Sequence, residues 1–164
     1  MESSTLDKIL TNDPFTNSWY SGIAHPDVCI QRILKYKSQK PQLFVLNTDN
    51  SYGPGEHWCL AFFFPPSNCE FFDSLGFHPK TYGFEMPLKE HASLITFNNI
   101  RVQSFFSSTC GHHCLYYALK RARGFSPEDI MRTYHAFNFS ANDKMVFRFV
   151  SDKFGPISAK ISYI

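Results

Sequence analysis

Two strongly apolar runs separated by a short polar turn dominate the middle of the chain. Residues 57–64 (HWCLAFFF) and 69–73 (CEFFD) flank the turn-forming sequence PPSN at 65–68. Short apolar runs bounded by proline, serine and asparagine are typical of buried β-strands. We therefore predict an antiparallel hairpin over these residues, and every other element has to pack around it.

Helical and extended patterns alternate irregularly along the rest of the chain, which predicts an α+β fold in which helices flank a small mixed sheet. The first predicted helix is capped by Ser3 or Ser4 and carries Leu6, Ile9 and Leu10. Another begins at Ser126-Pro127. The remaining predicted helices span 26–37, 87–94, 110–123, which Gly124 ends, and 143–154. The further predicted strands are 43–46 and 100–105, and residues 12–24 are interpreted as turn-rich.

Length and composition favour one folded domain over residues 1–164. A chain of 164 residues with 43% hydrophobic and 17% aromatic residues can bury roughly 70% of its unfolded surface, enough for a core without disulfides. No apolar run approaches the ~20 residues of a membrane helix, and the first residues lack a signal-peptide pattern. The five cysteines are an odd number and are interpreted as thiols. We expect a monomer without a membrane segment, kept in a reducing compartment and not secreted.

The formal net charge of +2 hides an asymmetry between the two parts of the chain. Residues 1–100 carry 7 Lys and Arg against 10 Asp and Glu, a net charge of −3, whereas residues 101–164 carry 9 against 4, a net charge of +5. A basic C-terminal half could contact DNA or an acidic partner. Ordinary surface charge, with Lys120, Arg121 and Arg123 near a helix C-terminus, explains the pattern equally.

Cys110 is the candidate nucleophile. It follows the polar loop 107–109 at the start of a predicted helix, where the dipole and free N–H groups lower a thiol pKa. Gly111 would let substrate and backbone approach closely. The alternative is a buried helix thiol without a catalytic role.

A metal site is the second interpretation of the same segment, since Cys110, His112, His113 and Cys114 stand close together in the sequence. Further ligands at a recognised zinc spacing are missing, so we predict no metal.

His57 and Asp73 are the candidate base and its orienting acid. His57 begins a predicted strand beside a Gly- and Pro-containing loop, and hairpin pairing places it opposite a window near residues 73–76. Asp73 is the acid in that window, because Glu70 lies nearer the turn with its side chain on the opposite face. Asp73 can then fix the histidine tautomer and stabilise the imidazolium. The alternative for Asp73 is a turn residue at a strand end.

Gln103 is the candidate oxyanion donor. It precedes Cys110 by seven positions, at the end of a predicted strand that leads into the helix. A glutamine amide can donate a hydrogen bond to a developing oxyanion, together with the backbone N–H of Cys110. A polar surface residue is the alternative interpretation.

The order of these residues resembles a known family. His57-Trp58, an acid on the return strand, and Gln103 seven positions before Cys110-Gly111 resemble the adenain fold group, which comprises adenovirus-type maturation proteases and SUMO-specific, ubiquitin-like-protein proteases. The closer resemblance is to adenain, whose acid strand and Gly-Phe turn are similar to 69–77 (CEFFDSLGF), with Asp73 where adenoviral enzymes usually carry Glu.

The resemblance implies a thiol endopeptidase with the nucleophile at a helix N-terminus. Cys110, His57 and Asp73 would be catalytic and Gln103 would line the oxyanion hole. The family cuts after small, Gly-containing sequences, which implies a narrow groove beside Gly111, with Trp58 as a wall or as a core residue. The expected enzyme matures virion precursor proteins in the virion and the host nucleus. The alternatives are a SUMO- or ubiquitin-like-protein deconjugase and a non-catalytic interaction module.

One departure from the family concerns its activator. Adenoviral enzymes hold a viral peptide cofactor partly through a disulfide to a cysteine between the acid strand and the glutamine, and residues 70–109 contain no cysteine. We predict no cofactor for the chemistry itself. The resemblance leaves stimulation by a peptide or by DNA open, without that disulfide.

Overall fold

A five-stranded mixed sheet forms the centre of the computed structural model, which describes residues 1–27, 40–53, 55–155 and 157. Its strands have the same order in space as in the chain: β1 (Tyr20–Ala24), β2 (Gln42–Asn47), β3 (Trp58–Phe64), β4 (Asn68–Phe72) and β5 (Leu94–Phe97). The central strand β3 is antiparallel to its neighbours β2 and β4, whereas the outer strands β1 and β5 run parallel to β2 and β4, respectively.

Helices cover both faces of the sheet. One face packs against α1 (Ser3–Asn12), α3 (Cys110–Ala122), α4 (Pro127–Met131) and α5 (Phe139–Phe154). The other face is covered by a 3₁₀ helix (Pro79–Tyr82) and α2 (Glu85–Lys89). Within the described residues, no helix is long and apolar enough to cross a membrane.

Burial on both faces explains the uninterrupted apolar run in β3. Leu60 and Phe62 point into the core beneath α3, and Cys59, Ala61 and Phe63 point into the core beneath α2. Successive side chains of a strand alternate between faces, so a strand covered on both sides needs apolar residues at nearly every position.

Helix α3 is the best-buried helix of the protein. Every residue from Cys110 to Leu119 is buried, between β3 on one side and α1, α4 and α5 on the others. Gly124, at φ +90°, adopts a left-handed conformation just past the helix end. Packing on all sides holds the first residue of α3, Cys110, in a fixed position relative to β3.

The α+β prediction and the central hairpin are confirmed. Strands β3 and β4 pair around the predicted turn with Leu60 opposite Phe72, and 43–46 lies within β2. Helix α1 buries Leu6, Ile9 and Leu10. Helix α4 begins as predicted, with Ser126 Oγ accepting a hydrogen bond from the backbone N–H of Asp129 at 3.0 Å.

Several predicted elements are wrong. Residues 100–105 form no strand, because the backbone N–H groups of Val102 and Gln103 both donate to the Ser74 carbonyl. Helix α2 ends at Lys89, and Leu94 instead starts β5. The supposed turn region 12–24 contains β1, an edge strand. Neither Ser3 nor Ser4 caps α1, since Glu2 occupies that position without a side-chain hydrogen bond.

Helix α5 begins four residues before the predicted start at Asp143. Asn138 caps it by accepting a hydrogen bond from the Ala141 N–H at 3.0 Å, and its first turns bury the polar residues Asn142 and Asp143. Inward-facing polar residues interrupt the apolar periodicity, which hides these turns from the sequence pattern. The predicted helix 26–37 falls largely outside the described residues.

Candidate active site

The N-terminal end of α3 lies beside the start of β3 and the residue after β4. Cys110 is the first residue of α3, His57 immediately precedes β3, and Asp73 immediately follows β4. The hairpin register, continued beyond the pair Leu60 and Phe72, brings His57 next to Asp73. The structure thus brings together three of the sequence-predicted site residues, each held by a different element.

Asp73 is fixed by hydrogen bonds on every side. Its Oδ1 lies 2.6 Å from His57 Nε2 and accepts a bond from the backbone N–H of Leu75 at 2.9 Å. Its Oδ2 accepts bonds from the backbone N–H of Phe77 at 2.9 Å and from the Tyr82 hydroxyl at 3.0 Å. The carboxyl group is fully buried. Such a group cannot rotate freely, so it holds the imidazole in one orientation.

Asn98 secures the backbone of the same residue. Its side-chain Oδ1 accepts a bond from the Asp73 N–H at 2.9 Å, and its Nδ2 donates to the Asp73 carbonyl at 2.6 Å. The sequence analysis missed Asn98 and Tyr82. The position of Asn98 directly after an edge strand carried no pattern that could have found it.

The Cys110 thiol and the His57 imidazole are coupled. Both residues line the cleft, and both are only 9% exposed. Burial raises the pKa of Cys110, but the neighbouring His57, through hydrogen bonding and charge, and the Trp58 N–H bring it below the ordinary thiol value. The position at the start of α3 favours the thiolate further.

His57 shows the complementary shift. Burial lowers its pKa, but hydrogen bonds to Asp73 and Cys110, together with their charges, outweigh burial and raise the pKa to about 9. Opposite shifts in two touching groups favour a thiolate–imidazolium pair near neutral pH.

Gln103 lies in the loop before α3 and lines the same cleft as Cys110. Its Oε1 accepts a bond from the Ser74 hydroxyl at 2.6 Å, and its Nε2 donates to the Ser107 carbonyl at 3.3 Å and hydroxyl at 3.2 Å. The Ser107 carbonyl can only accept a hydrogen bond, so the amide end that faces it is the NH₂ group, which is thereby directed toward the 104–109 loop.

Trp58 and Gly111 meet at the N-terminal residue. The Trp58 indole N–H donates to the Met1 carbonyl at 3.1 Å, and a Cβ atom on Gly111 would lie 2.9 Å from the Met1 Cβ. Gly111 therefore allows the close approach of Met1. Trp58 is 8% exposed and belongs to the core beneath α3, although it also lines the cleft.

An open cleft of about 630 Å³ gives access to these groups. Its walls are mainly polar and come from the N-terminus, the loop before β3, and the loop before α3. The residues that line the cleft include His57, Cys110, Gln103, Asn47, Leu75 and Phe105. A polypeptide chain could lie extended across such a cleft, with its carbonyl carbon near the sulfur.

The four residues considered above as metal ligands, Cys110, His112, His113 and Cys114, do not point toward a common centre. His113 bonds to Asp143 at 2.9 Å, His112 to the Ile157 carbonyl at 3.3 Å, and the Cys114 thiol to the Trp58 carbonyl at 3.2 Å.

A different set of potential ligand atoms lies close together, from His57, Cys59 and Asp73, within 4.8 Å of one another. The 2.6 Å contact between His57 and Asp73 is a hydrogen bond, and it is too short for two atoms that share a zinc ion at about 2.0–2.3 Å from each.

The fold of this chain is also found in a solved structure of a protease. No protein-family model and no curated protein sequence matches this chain. A crystal structure of the ASFV pS273R protease matches with a TM-score of 0.54 and 18% identity, over 88% of this chain and 65% of that one. The chain has the fold of that protease. Selenomethionine crystals of the same protease match with a TM-score of 0.41 and 28% identity, over 65% of this chain and 42% of that one.

The predicted fold group is thereby confirmed. The chain spans 65% of the length of the protease that it matches.

Proposed function

We propose that this chain is a viral cysteine endopeptidase that uses Cys110 as nucleophile, His57 as general base and acid, and Asp73 as the orienter of His57. The observation that carries the proposal is the juxtaposition of Cys110, at a helix N-terminus and open to a cleft, with His57, whose imidazole is hydrogen-bonded to the buried Asp73 at 2.6 Å. The protease fold of the structural neighbour supports it.

The reaction begins with attack of the Cys110 thiolate on the substrate carbonyl carbon. The carbonyl oxygen becomes an oxyanion, which would accept hydrogen bonds from the Cys110 N–H and the Gln103 amide. As the tetrahedral intermediate collapses, the C–N bond breaks and the His57 imidazolium gives its proton to the leaving amine. The products of this half-reaction are a free amine and a thioester on Cys110.

The second half-reaction hydrolyses the thioester. Neutral His57 removes a proton from a water molecule, which attacks the thioester carbon and releases the carboxylic acid product. The thiolate and the imidazolium are then restored, and no cofactor takes part in these steps. Asp73 keeps the imidazole oriented and stabilises its charged form.

The substrates that we propose are virion precursor proteins with Gly-containing cleavage sites, with Trp58 and Gly111 beside the bound chain. This proposal rests on the sequence resemblance to adenain-type proteases. We extend the same resemblance to a monomeric enzyme in the virion and the host nucleus, and to DNA contact through the basic C-terminal half. Any peptide activator would bind without the disulfide of adenoviral enzymes, because residues 70–109 lack cysteine.

Site-specific alkylation combined with a cleavage profile tests the proposal. Limiting iodoacetamide should modify Cys110, because burial raises the pKa of Cys59, Cys69 and Cys114. Cys110→Ala should retain the fold and lose all cleavage of a peptide library. Labelling of another cysteine with Cys110 untouched would overturn the assignment.

The cleavage profile separates the two protease classes. An endopeptidase of virion precursors should cut unstructured peptides after Gly-containing sequences. A requirement for a folded ubiquitin-like modifier on the substrate would assign the chain to the deconjugases instead.

A further inference from the structure

An arginine sandwiched between two phenylalanine rings lies beside the cleft. The Arg101 guanidinium carbon is 4.1 Å from the centre of the Phe105 ring and 3.9 Å from the centre of the Phe139 ring. Within the described part of the chain, the Arg101 side chain forms no ion pair and donates no hydrogen bond. Its two flat faces are covered by the rings, so its N–H groups are available at the edge.

Exposed aromatic side chains surround this arginine. Phe105 is 59% exposed, Phe106 is 70% exposed, and Phe137 is 93% exposed. Together with Arg101 and Phe139 they border a groove of about 210 Å³, which we call the Arg101 groove. Large apolar side chains concentrated at one place on the surface are typical of an interaction site.

The Arg101 groove adjoins the catalytic cleft. Ser104 and Phe105 line both of them, and they stand in the loop that leads from Gln103 to Cys110. A polypeptide bound with its scissile bond at Cys110 would therefore reach the groove with residues a few positions away. The loop that would hold the oxyanion donor is also the wall between the two sites.

The chemistry of the groove selects its ligand. Phenylalanine rings bind an apolar side chain, and the edge of a guanidinium group matches the two oxygens of a carboxylate. Arg101 is the one cation among the residues that line the groove, whereas nucleic-acid sites align several cations along the phosphates.

We propose that the Arg101 groove is a second substrate-binding site, which selects polypeptides that carry an apolar residue next to an acidic residue outside the scissile sequence. This inference rests on the proposed protease function and specifies its substrate class. It assigns binding, not chemistry, to Arg101 and Phe137.

Matched peptides test the inference. One short peptide spans a Gly-containing cleavage site alone, and two longer sets add Phe-Glu or Phe-Gln at increasing distances on either side. At the favoured distance, the Phe-Glu peptide should show kcat/KM about tenfold above the Phe-Gln peptide through a lower KM, the size expected of one charge-assisted contact. Arg101→Gln should abolish that difference while leaving cleavage of the short peptide unchanged.

Two further variants separate the groove from general effects. Phe137→Ala, at an exposed position, should lower kcat/KM for both long peptides. The matched controls are Lys120→Gln and Phe125→Ala. They alter a half-buried cation and an exposed ring at the far end of α3, with the Lys120 Nζ 4.6 Å from the centre of the Phe125 ring, and they should behave as the unmodified protein. Equal kcat/KM for all peptides, or equal effects of the control variants, would overturn the proposal.

If no cleavage is detected, binding of the peptide to the Cys110→Ala variant tests the inference instead. Fluorescence anisotropy of the labelled Phe-Glu peptide should show binding that Arg101→Gln weakens about tenfold. Binding without cleavage or alkylation would refute the protease function and retain the groove. If Arg101→Gln weakened binding of a DNA duplex but not of the peptide, the groove would be a nucleic-acid site and the inference would be wrong.

Discussion

The carboxyl group of Asp73 is held so firmly that its loss should affect turnover more than substrate binding. Asp73→Asn should lower kcat by at least about a hundredfold, in line with the usual contribution of general acid–base catalysis, and leave KM nearly unchanged. His57→Ala should be more severe. Steady-state kinetics with a short Gly-containing peptide measures both effects.

Glu70→Gln is the matched control for Asp73→Asn. Glu70 accepts bonds from Arg121 and from the Tyr117 hydroxyl at 2.7 Å, on the core side beneath α3 and away from the cleft. Its substitution should lower the melting temperature and preserve kcat. A Glu70→Gln enzyme as inactive as Asp73→Asn would show that the wrong acid has been assigned.

The opposite pKa shifts of Cys110 and His57 predict the pH profile. Activity should rise as the pH passes the lowered pKa of Cys110, because the thiolate forms there. It should fall near pH 9, where His57 loses the proton that the leaving amine needs. In Asp73→Asn the basic limb should move to lower pH, since Asp73 is the largest of the influences that raise the pKa of His57. An unmoved limb would contradict the coupling.

Gln103 should contribute to turnover without affecting the thiolate. Loss of one oxyanion donor typically costs about 10²–10³ in kcat. Gln103→Ala should therefore retain weak cleavage, while the rate of Cys110 alkylation, measured by mass spectrometry, stays close to that of the unmodified enzyme. Full turnover in this variant would remove Gln103 from the oxyanion site.

At the scale of elements, helix α5 holds the start of α3 through a second buried histidine–acid pair. Burial lowers the pKa of His113 although Asp143 opposes this, so the ring is neutral, with Nε2 donating to Asp143. The Thr109 hydroxyl donates to the same carboxylate at 2.8 Å and lies 2.9 Å from the Ser107 hydroxyl, which contacts Gln103. A continuous polar network thus runs from α5 to the candidate oxyanion donor.

Thr109→Val tests this network, because it removes one link and keeps the shape of the side chain. We expect kcat to fall about tenfold while the free energy of unfolding drops by only about 1 kcal/mol. The control is Ser126→Ala, which removes the cap of α4 at a similar cost in stability and should not change kcat. Equal kinetic effects in both variants would show that the network does not position the site.

The sequence predicted the structure best where a residue pattern is compatible with a single local fold. The apolar run before the 65–68 turn is compatible with a buried hairpin, and the hairpin pairing places Asp73 near His57. Residues 100–105 show why other elements were missed. Their apolar character predicted a strand. The backbone N–H groups of Val102 and Gln103 instead donate to the Ser74 carbonyl, and this contact with a residue distant in sequence leaves no local pattern. Asn98, Tyr82 and Asp143 act through similar long-range hydrogen bonds.

At the scale of the whole molecule, the sheet separates two cores. The core beneath α3 carries Cys110, and the core beneath α2 reaches the site through Tyr82, which donates to Asp73. Leu88 of α2 and Leu115 of α3 are both fully buried, on opposite faces. Leu88→Ala and Leu115→Ala should each cost about 2–5 kcal/mol in the free energy of unfolding. Under conditions where both variants are folded, Leu115→Ala should also lower kcat, and by more than Leu88→Ala, because Leu115 lies on the helix that begins with Cys110. Denaturant titration and kinetics on the same samples measure both.

The proposed nucleophile, base and acid belong to three elements that meet only after α3 has docked on the sheet. Before that step the chain carries a thiol, an imidazole and a carboxyl group in water, each with its ordinary acidity. If the proposed function is right, a nascent or half-folded copy would not cleave its neighbours, and proteolytic activity would appear only with the finished core. The timing of proteolysis would then be set by the completion of folding.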